Sequence, residues 1–464
     1  MSTPVVWIFV PFLIGLGLLA IQRYTRLSLL AGGICTSALA LSARLLPIGR
    51  TFFVGPLAVR LADTLEIAGR RFVLGEAARP ILILLFLGAA FWYFGALAAR
   101  VNSFFAPVGF AMLAFFVAAL SVQPFLYSAL LIEMAVLSSI PLLAQPRQPV
   151  RSGVTRYLIF QTTALPFILF TGWMLTGVEA GNADINLPLR AGILLGIGFA
   201  LLLAVFPFHA WIPLIAEQSH PYAAAFVFVL LQTSVLLFGM ELLNQFTWLR
   251  TAPAISEILR LTGAMMVVAG GVLAAFQNHL GRVLGFAVVY ETGFSLIAAS
   301  LGGIPGVELF SMLFLPRIAA FALWALALSV ALRACGSLSL GQLSGVGRRY
   351  PLVFGAIILA NLSLVSIPLL AGFPVKLALL ETLAVQFPVV AIWTLLGMLG
   401  LMAAGLRALG VFTAGEPAKN EAAIPLSTQG LLLLGVFSLF LIGILPQIFL
   451  TPMLALLKSL PNLL

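Results

Sequence analysis

The sequence predicts an all-α polytopic membrane protein with about 14 transmembrane helices. Hydrophobic residues make up 62% of the 464 residues and charged residues only 8%, whereas a soluble domain carries about 25% charged residues. The mean hydropathy is +1.16. So few charges cannot cover a surface that faces water, so we expect the lipid bilayer to surround the chain.

Apolar runs long enough to cross a membrane, which takes roughly 20 residues, recur along the whole chain. The first run has no basic segment before it and no small-residue cleavage site, so we expect a retained helix rather than a removed signal peptide. The runs lie near residues 5–22, 28–48, 79–99, 105–122, 124–145, 157–177, 189–212, 221–243, 255–277, 281–301, 307–333, 352–388, 391–412 and 428–450.

Two of these runs should contain broken helices. The run near 352–388 is too long for one simple crossing, and its middle holds Pro368, Gly372 and Pro374. The run near 189–212 ends in VFPFHAWIP. Proline removes a helical hydrogen bond and clashes with the preceding turn, so each proline cluster should interrupt its helix.

The net charge of +10 comes mostly from arginine. In a soluble protein this excess could indicate nucleic-acid binding. Here the basic residues lie in short loops between apolar runs, which is the pattern of cytoplasmic loops in membrane proteins. We therefore expect no nucleic-acid partner.

The distribution of arginine between loops predicts the orientation in the membrane. We number the loops between the apolar runs in order along the chain. The odd-numbered loops carry Arg23, Arg26, Arg100, Arg147, Arg151, Arg156, Arg282, Arg333, Arg348, Arg349 and Lys419. The even-numbered loops carry few basic residues, apart from the longest of them. Long loops follow poorly the rule that basic residues mark cytoplasmic loops. That longest loop carries Arg50, Arg60, Arg70, Arg71 and Arg79. The odd loops are then cytoplasmic, and both termini face outward.

The longest loop contains two short alternating segments, LAVRL and RRFVL, with Ala68 and Gly69 as a candidate turn. A short external β-hairpin and an irregular loop are both compatible with this pattern.

Four ionisable residues lie inside apolar runs: Glu133, Glu291, Arg317 and Lys376. Each costs on the order of 3 kcal/mol at a helix centre, and such residues usually mark ion pathways. Structural explanations exist for each one. Glu133 could be a hydrogen-bonded neutral carboxyl, Glu291 and Arg317 could form a static pair, and Lys376 could extend to the membrane interface. The presence of all four among so few charges favours a proton relay.

Polar side chains such as Tyr290, Gln232 and Thr233 could extend a hydrogen-bonded water chain between the charges. The broken helix beside Lys376 would free backbone groups that can hold water.

Other chemistry has no support in the sequence. Cys35 and Cys335 have no partner motif, and His209, His220 and His279 are widely scattered. A metal or disulfide site is therefore not expected. The chain contains no nucleophile–base pair, phosphate loop or nucleotide fingerprint, so we expect no catalytic residue and no bound cofactor.

Three segments together resemble a known family. They are AVFPFHAWIPLIAEQSHPYAAAFVFVLLQT, NHLGRVLGFAVVYETGF and GRRYPLVFGAIILANLSLVSIPLLAGFPVK. They are similar to the helix-break and polar-helix motifs of the antiporter-like subunits of respiratory complex I, which are related to multi-subunit cation/proton antiporters. The resemblance covers about residues 110–390 well, and the span count extends it to the whole chain.

The resemblance implies two inverted five-helix repeats, each with one discontinuous helix. The breaks at Pro207 and at Gly372 and Pro374 fall where those helices are expected. The implied division is an N-terminal helical region with the external loop, two repeats, and a C-terminal helix, at residues 1–104, 105–243, 255–412 and 413–464.

The resemblance also implies site residues. Glu133 matches the family's glutamate on the fifth helix, and Lys376 matches the charged residue on the twelfth. The lysines of the seventh and eighth helices are missing, since no basic residue lies near Leu202 and Gln232 occupies the other position. Three further residues complete the candidate pathway of Glu133, Lys376, Glu291, Arg317, Gln232 and His209.

Of these three, Glu291 falls where the family often has His or Gln. Arg317 is an addition that could compensate for the missing lysines by pairing with Glu291. His209 is retained and could orient the helix break.

These expectations combine into a membrane-arm subunit of a complex I-like NADH:quinone oxidoreductase, located in the inner (plasma) membrane with other membrane-arm subunits as partners. It would take part in proton translocation without a catalytic centre of its own. Two alternatives stay open. One is a subunit of a multi-subunit cation/proton antiporter, membrane-bound hydrogenase or bicarbonate-uptake complex, and the other is a non-conducting structural subunit.

Overall fold

The computed structural model describes residues 2–49, 51–54, 57–67, 69–144, 151–179, 187–415, 423–448 and 463. Within them, ten apolar helical segments are long enough to cross a membrane, and four shorter apolar helices accompany them. The total of fourteen agrees with the number of runs in the sequence. The chain is an all-α, multi-pass membrane protein.

The described residues form nineteen α-helices. They are α1 (Val10–Ala20), α2 (Thr25–Leu45), α3 (Arg79–Ala99), α4 (Phe105–Ser121), α5 (Ser128–Leu143), α6 (Ser152–Glu179), α7 (Leu187–Leu202), α8 (Trp211–Gln218), α9 (Pro221–Gln245), α10 (Thr247–Thr251), α11 (Pro253–Ala275), α12 (Leu280–Ser300), α13 (Gly303–Met312), α14 (Phe314–Cys335), α15 (Val346–Arg349), α16 (Pro351–Val365), α17 (Phe373–Gln386), α18 (Pro388–Thr413) and α19 (Leu426–Ile444).

Two spans are broken where the proline clusters predict. The first break separates α7 from α8, and Ala204 within it has a left-handed φ of 54°. The second separates α16 from α17, and Ser366 and Leu369 both have a φ of 73°. Gly372 ends this second break, where a Cβ atom would overlap the carbonyl of Ser363. Only glycine therefore fits at this close approach.

The broken spans occupy equivalent places in two sets of five. The first set is α4, α5, α6, α7–α8 and α9, and the second is α11, α12, α13–α14, α16–α17 and α18. The fourth span is the broken one in each set. Because five crossings are an odd number, the second set starts from the opposite membrane face, so the repeats are inverted. The division of the chain at residues 105–243 and 255–412 stays a prediction.

The span near 307–333 contains one interruption that the run of apolar residues did not reveal. Helix α13 ends at Met312 and α14 begins at Phe314. Pro316 explains the interruption, because its ring clashes with the carbonyl four residues earlier, on Met312. Arg317 consequently lies in the first turn of a new helix rather than within a continuous one.

Hydrogen bonds between loops show which loops share a face. Arg333 donates to the Ala98 carbonyl at 2.7 Å, so the eleventh loop lies beside the third, and Arg151 donates to the Gln218 carbonyl at 2.6 Å, so the fifth loop lies beside the seventh. The long second loop instead pairs with the fourth loop through a β-ladder. Three basic residues used for the orientation, Arg50, Arg147 and Lys419, lie outside the described residues.

The long second loop forms two antiparallel hairpins. The first joins β1 (Thr51–Val54) to β2 (Leu57–Arg60), and the second joins β3 (Thr64–Ile67) to β4 (Arg70–Val73). A short β5 (Val122–Gln123) adds to β4.

Of the two alternatives left open by the sequence, the hairpin describes this loop better, because both alternating segments form strands. However, LAVRL and RRFVL belong to different hairpins, because TFFV and TLEI are the nearer partners. The predicted turn holds Gly69 at a φ of 71°, while Ala68 lies outside the described residues.

Small residues bring the helices of the second repeat into close contact. A Cβ atom on Gly397 of α18 would overlap the carbonyl of Val267 on α11, and one on Gly271 would overlap Gly397. Membrane helices associate through such close packing because lipid offers no hydrophobic driving force between them.

Candidate proton-transfer site

The break between α16 and α17 places Lys376 inside the bundle. Lys376 is the fourth residue of α17 and is 1% exposed. Because α17 starts in the interior rather than at the membrane surface, its first turn carries the side chain to α12. The structural explanation of Lys376 required its side chain to extend to the membrane interface. The buried position of Lys376 contradicts that explanation.

The ammonium group of Lys376 meets a carboxylate and a carbonyl. Its Nζ donates to Glu291 Oε1, and also to the Leu364 carbonyl at 2.5 Å. The same Nζ lies 4.8 Å from the ring centre of Tyr290 and 4.4 Å from that of Phe294. The two rings add cation–π attraction and exclude lipid from the charge.

Arg317 approaches the same carboxylate from α14. Its Nη2 donates to the Glu291 carbonyl at 2.6 Å and to Ser295 Oγ, and its Nε lies 3.8 Å from Glu291 Oε2. Arg317 and Glu291 are each 2% exposed. Arg317 Nη1 has no hydrogen-bond partner among the described residues.

This ion cluster of Glu291, Arg317 and Lys376 holds two cations for one anion. Arginine stays protonated in proteins, whereas lysine and glutamate can exchange protons. Arg317 and Glu291 form a neutral pair by themselves, so the cluster is neutral when Lys376 is uncharged and carries +1 when Lys376 is protonated. The chemistry available is therefore proton exchange at Lys376 Nζ, with no covalent step.

Glu133 lies in the other repeat, on α5, and is 9% exposed. Its Oε1 accepts a hydrogen bond of 2.6 Å from Thr162 Oγ1 on α6. Among the described residues, Glu133 forms no ion pair. The structure thus brings Glu291, Arg317 and Lys376 together, while Glu133 occupies a separate polar site.

Gln232 and His209 are buried polar residues of the first repeat. Gln232 on α9 is 1% exposed, and neither of its amide atoms has a partner among the described residues. His209 lies within the first break, stacked on Phe206 with ring centres 5.2 Å apart. Its ring is also 5.9 Å from Phe286 on α12, the helix that carries Glu291.

Sequence reasoning missed a polar row on α6. Gln161 is fully buried and donates to the Leu202 carbonyl at 3.2 Å. Leu202 marks the place on the seventh span where the resemblance implies a lysine that this chain lacks. Tyr157, one helical turn earlier, is hydrogen-bonded to Ser139 at 3.0 Å. The spacing of Tyr157 and Gln161 by four residues, inside an apolar run, was the available signal.

Asn361 is a second missed residue. It is 1% exposed on α16, and both of its amide atoms lack a partner among the described residues. It packs against Gly405 of α18, where a Cβ atom would overlap its side chain. Asn361 is therefore a buried polar side chain close to the second break.

Residues 111–406 match the family described as "NADH:quinone oxidoreductase/Mrp antiporter, TM". The chain is 28% identical over 273 residues to NADH-quinone oxidoreductase subunit N 2 of Solidesulfovibrio magneticus, covering 55% of this chain and 57% of the relative. It is 27% identical over 329 residues to subunit N of Ectopseudomonas mendocina, covering 65% of each chain. The matched part thus spans between half and two thirds of these relatives.

Solved structures share the fold over nearly the full chain. A chain of the Mrp complex from a Dietzia species gives a TM-score of 0.79 at 18% identity, covering 99% of this chain and 97% of that one. A chain of respiratory complex I from Thermus thermophilus gives 0.77 at 20% identity, covering 99% and 100%. A chain of an archaeal membrane-bound sulfane sulfur reductase gives 0.79 at 15% identity, covering both completely.

Proposed function

Since the chain belongs to the NADH:quinone oxidoreductase/Mrp antiporter transmembrane family, we propose that it is a membrane-arm subunit of a complex I-like NADH:quinone oxidoreductase and takes part in proton translocation. The observation that carries the proposal is the buried contact of Lys376 with Glu291 at a broken helix. The subunit holds no redox centre in this proposal, and electron transfer elsewhere in the complex drives its charge changes.

In the second repeat, Lys376 is the group that gains and loses the proton. Arg317 is the fixed cation that repels the charged form of Lys376 and pairs with Glu291 when Lys376 is neutral. Since a buried charge without a partner is strongly destabilising, this arrangement keeps both protonation states compatible with the interior. Arg317 thereby supplies a permanent positive charge beside Glu291.

In the first repeat, the proposed path runs through Glu133, Gln232 and His209 with the polar row on α6. Buried polar atoms are normally hydrogen-bonded, often by internal water. The unpartnered amide of Gln232 and Nδ1 of His209 support water binding between α6, α9 and the first break. A neutral glutamine can relay hydrogen bonds but cannot carry charge, so this half conducts only through water and Glu133.

The proposal is tested by proton uptake into inverted membrane vesicles that contain the assembled complex. We expect Lys376→Ala to abolish uptake at normal assembly, and Glu133→Gln to reduce it. Glu217→Gln is the matched control, because Glu217 pairs with Arg282 at 2.7 Å in a half-exposed position outside the buried groups. Unchanged coupling in both Lys376→Ala and Glu133→Gln would leave a structural membrane subunit as the function.

A second candidate follows from the fold. The chains of the Mrp complex and of the sulfane sulfur reductase are as similar in structure as that of complex I. The relatives in sequence, however, carry the name NADH-quinone oxidoreductase subunit N. Co-purification of flavin and iron–sulfur subunits supports the oxidoreductase, whereas sodium-dependent proton exchange without NADH would assign an antiporter complex.

We also propose the inner (plasma) membrane as the location, with the odd loops cytoplasmic and the N-terminus outside. The excess of arginine on the odd-loop face supports this orientation. Single cysteines introduced at Glu66 and Arg348, in a background without Cys35 and Cys335, test it. A membrane-impermeant thiol reagent should label Glu66→Cys in intact cells and Arg348→Cys only in inverted vesicles, and the opposite pattern would reverse the orientation.

A further inference from the structure

A cavity of about 380 Å³ lies between α3, α9, α14 and α19 and shares no residue with the ion cluster. Its walls are aliphatic and aromatic, and the one hydroxyl among them, on Tyr222, is donated to the Trp92 carbonyl at 2.8 Å. Phe91 and Phe94 are 36% and 37% exposed, and Leu434 is 54% exposed. The cavity is therefore apolar and open to the outside of the helix bundle.

Two arginines, Arg100 and Arg333, lie at one end of this cavity. Arg333 follows the wall residue Leu326 by seven positions on α14, which places both on one helix face. Arg100 follows the wall residue Leu97 by three positions, at the end of α3. Arg333 donates to the Ala98 carbonyl at 2.7 Å, so the two helix ends are adjacent.

Both arginines are exposed, and they lie at the adjacent ends of α3 and α14. Neither forms an ion pair within the described part of the chain. Two neighbouring cations without a carboxylate partner attract an anion. The site also lies on the odd-loop face, where the arginine excess is found.

We propose that this cavity binds an anionic phospholipid, with one acyl chain inside it and the headgroup phosphate between Arg100 and Arg333. Guanidinium groups bind phosphate oxygens through paired hydrogen bonds, and basic sites between transmembrane helices are suited to acidic lipid headgroups. A zwitterionic lipid would fill the apolar part equally well but would neutralise less of the repulsion between the arginines.

The test measures lipid binding to the assembled, delipidated complex by native mass spectrometry, with dioleoyl phosphatidylglycerol against dioleoyl phosphatidylethanolamine. Arg100→Gln with Arg333→Gln should weaken phosphatidylglycerol binding by about thirtyfold, roughly fivefold for each cation, and leave phosphatidylethanolamine unchanged. The control, Arg156→Gln with Arg348→Gln, removes equal charge from the same face and should change neither. Leu434→Trp, which narrows the mouth, should weaken both lipids.

Three outcomes would overturn the proposal. Equal losses in the control pair would indicate general surface charge, and displacement of phosphatidylglycerol by millimolar inorganic phosphate would indicate a free-phosphate site. The third outcome comes from a crosslinking experiment, in which photoreactive benzoylphenylalanine replaces Phe94 at the open side of the cavity. A lipid adduct after illumination supports the proposal, whereas an adduct with a neighbouring subunit shows that protein covers the cavity.

Discussion

Removing the fixed charge of the ion cluster should suppress proton transfer while leaving the fold intact. Arg317→Gln keeps a donor near Ser295 and the Glu291 carbonyl but removes the positive charge. The remaining Glu291 and Lys376 form a neutral pair. Proton release by Lys376 would then leave an isolated buried carboxylate, and it would no longer be assisted by repulsion from Arg317.

The size of this effect follows from the geometry. Arg317 Nε lies 3.8 Å from one carboxylate oxygen of Glu291, and Lys376 contacts the other oxygen. Two unit charges at roughly 6 Å and an effective dielectric constant of about 20 repel by about 3 kcal/mol. Since about 1.4 kcal/mol corresponds to a factor of ten, proton release from Lys376 becomes about a hundredfold less favourable.

The assay is the initial rate of proton uptake by inverted vesicles, normalised to assembled complex. We expect the rate for Arg317→Gln to fall at least about tenfold near neutral pH and to recover as the pH rises by about two units, because a hundredfold lower proton concentration offsets the lost repulsion. Arg317→Lys restores the charge and should keep most of the rate. A wild-type rate and pH profile for Arg317→Gln, at normal assembly, would refute this account of the cluster.

Three further predictions concern stability in detergent or nanodiscs. Gly397→Ala should lower the free energy of unfolding by about 1–3 kcal/mol, because the added methyl group meets the α11 backbone. Thr162→Val should cost about 1–2 kcal/mol by removing the hydrogen bond of 2.6 Å to Glu133. Burial and the charge of Arg333 lower the pKa of His220 from 6.5 to about 4. The folded form then binds fewer protons than the unfolded form in this window, so stability should fall by up to about 3 kcal/mol as the pH drops from 6.5 to 4.

Each of these three predictions has a matched control, measured by thermal or denaturant unfolding. Gly410→Ala on the same helix should not lower stability, since nothing lies within 4 Å of the added atom. Thr163→Val changes an exposed threonine next to Thr162, so an equal loss there would contradict the role of the hydrogen bond. For His220, the loss at acidic pH should be smaller in His220→Asn, and identical pH profiles would contradict the prediction.

Much of the fold could be predicted from the sequence, because a bilayer imposes simple rules. Apolar runs of sufficient length had to become helices, since lipid leaves backbone groups no other hydrogen-bond partner. The proline clusters had to break two of them, and the breaks at Pro207 and Pro374 lie within a few residues of the prediction. The interruption before Pro316 was not predicted, because a single internal proline can either kink a membrane helix that stays continuous or break it into two helices.

The candidate site was only partly predictable. The cost of burying charge made Glu133, Glu291, Arg317 and Lys376 conspicuous in an apolar chain. Gln161 was overlooked because an uncharged amide costs less to bury.

The sequence by itself therefore determined that this chain spans the membrane, how many times it does so, where two spans break and which side chains carry charge inside it. Only the tertiary structure decided which of those charges meet. Glu291 and Lys376 are 85 residues apart, and their contact depends on how α12 and α17 are rotated toward each other. That rotation is fixed by packing, through the glycine contacts of α11 with α12 and α18 and the interior start of α17. No local pattern encodes it, because each helix satisfies its own backbone whatever neighbour its side chains face.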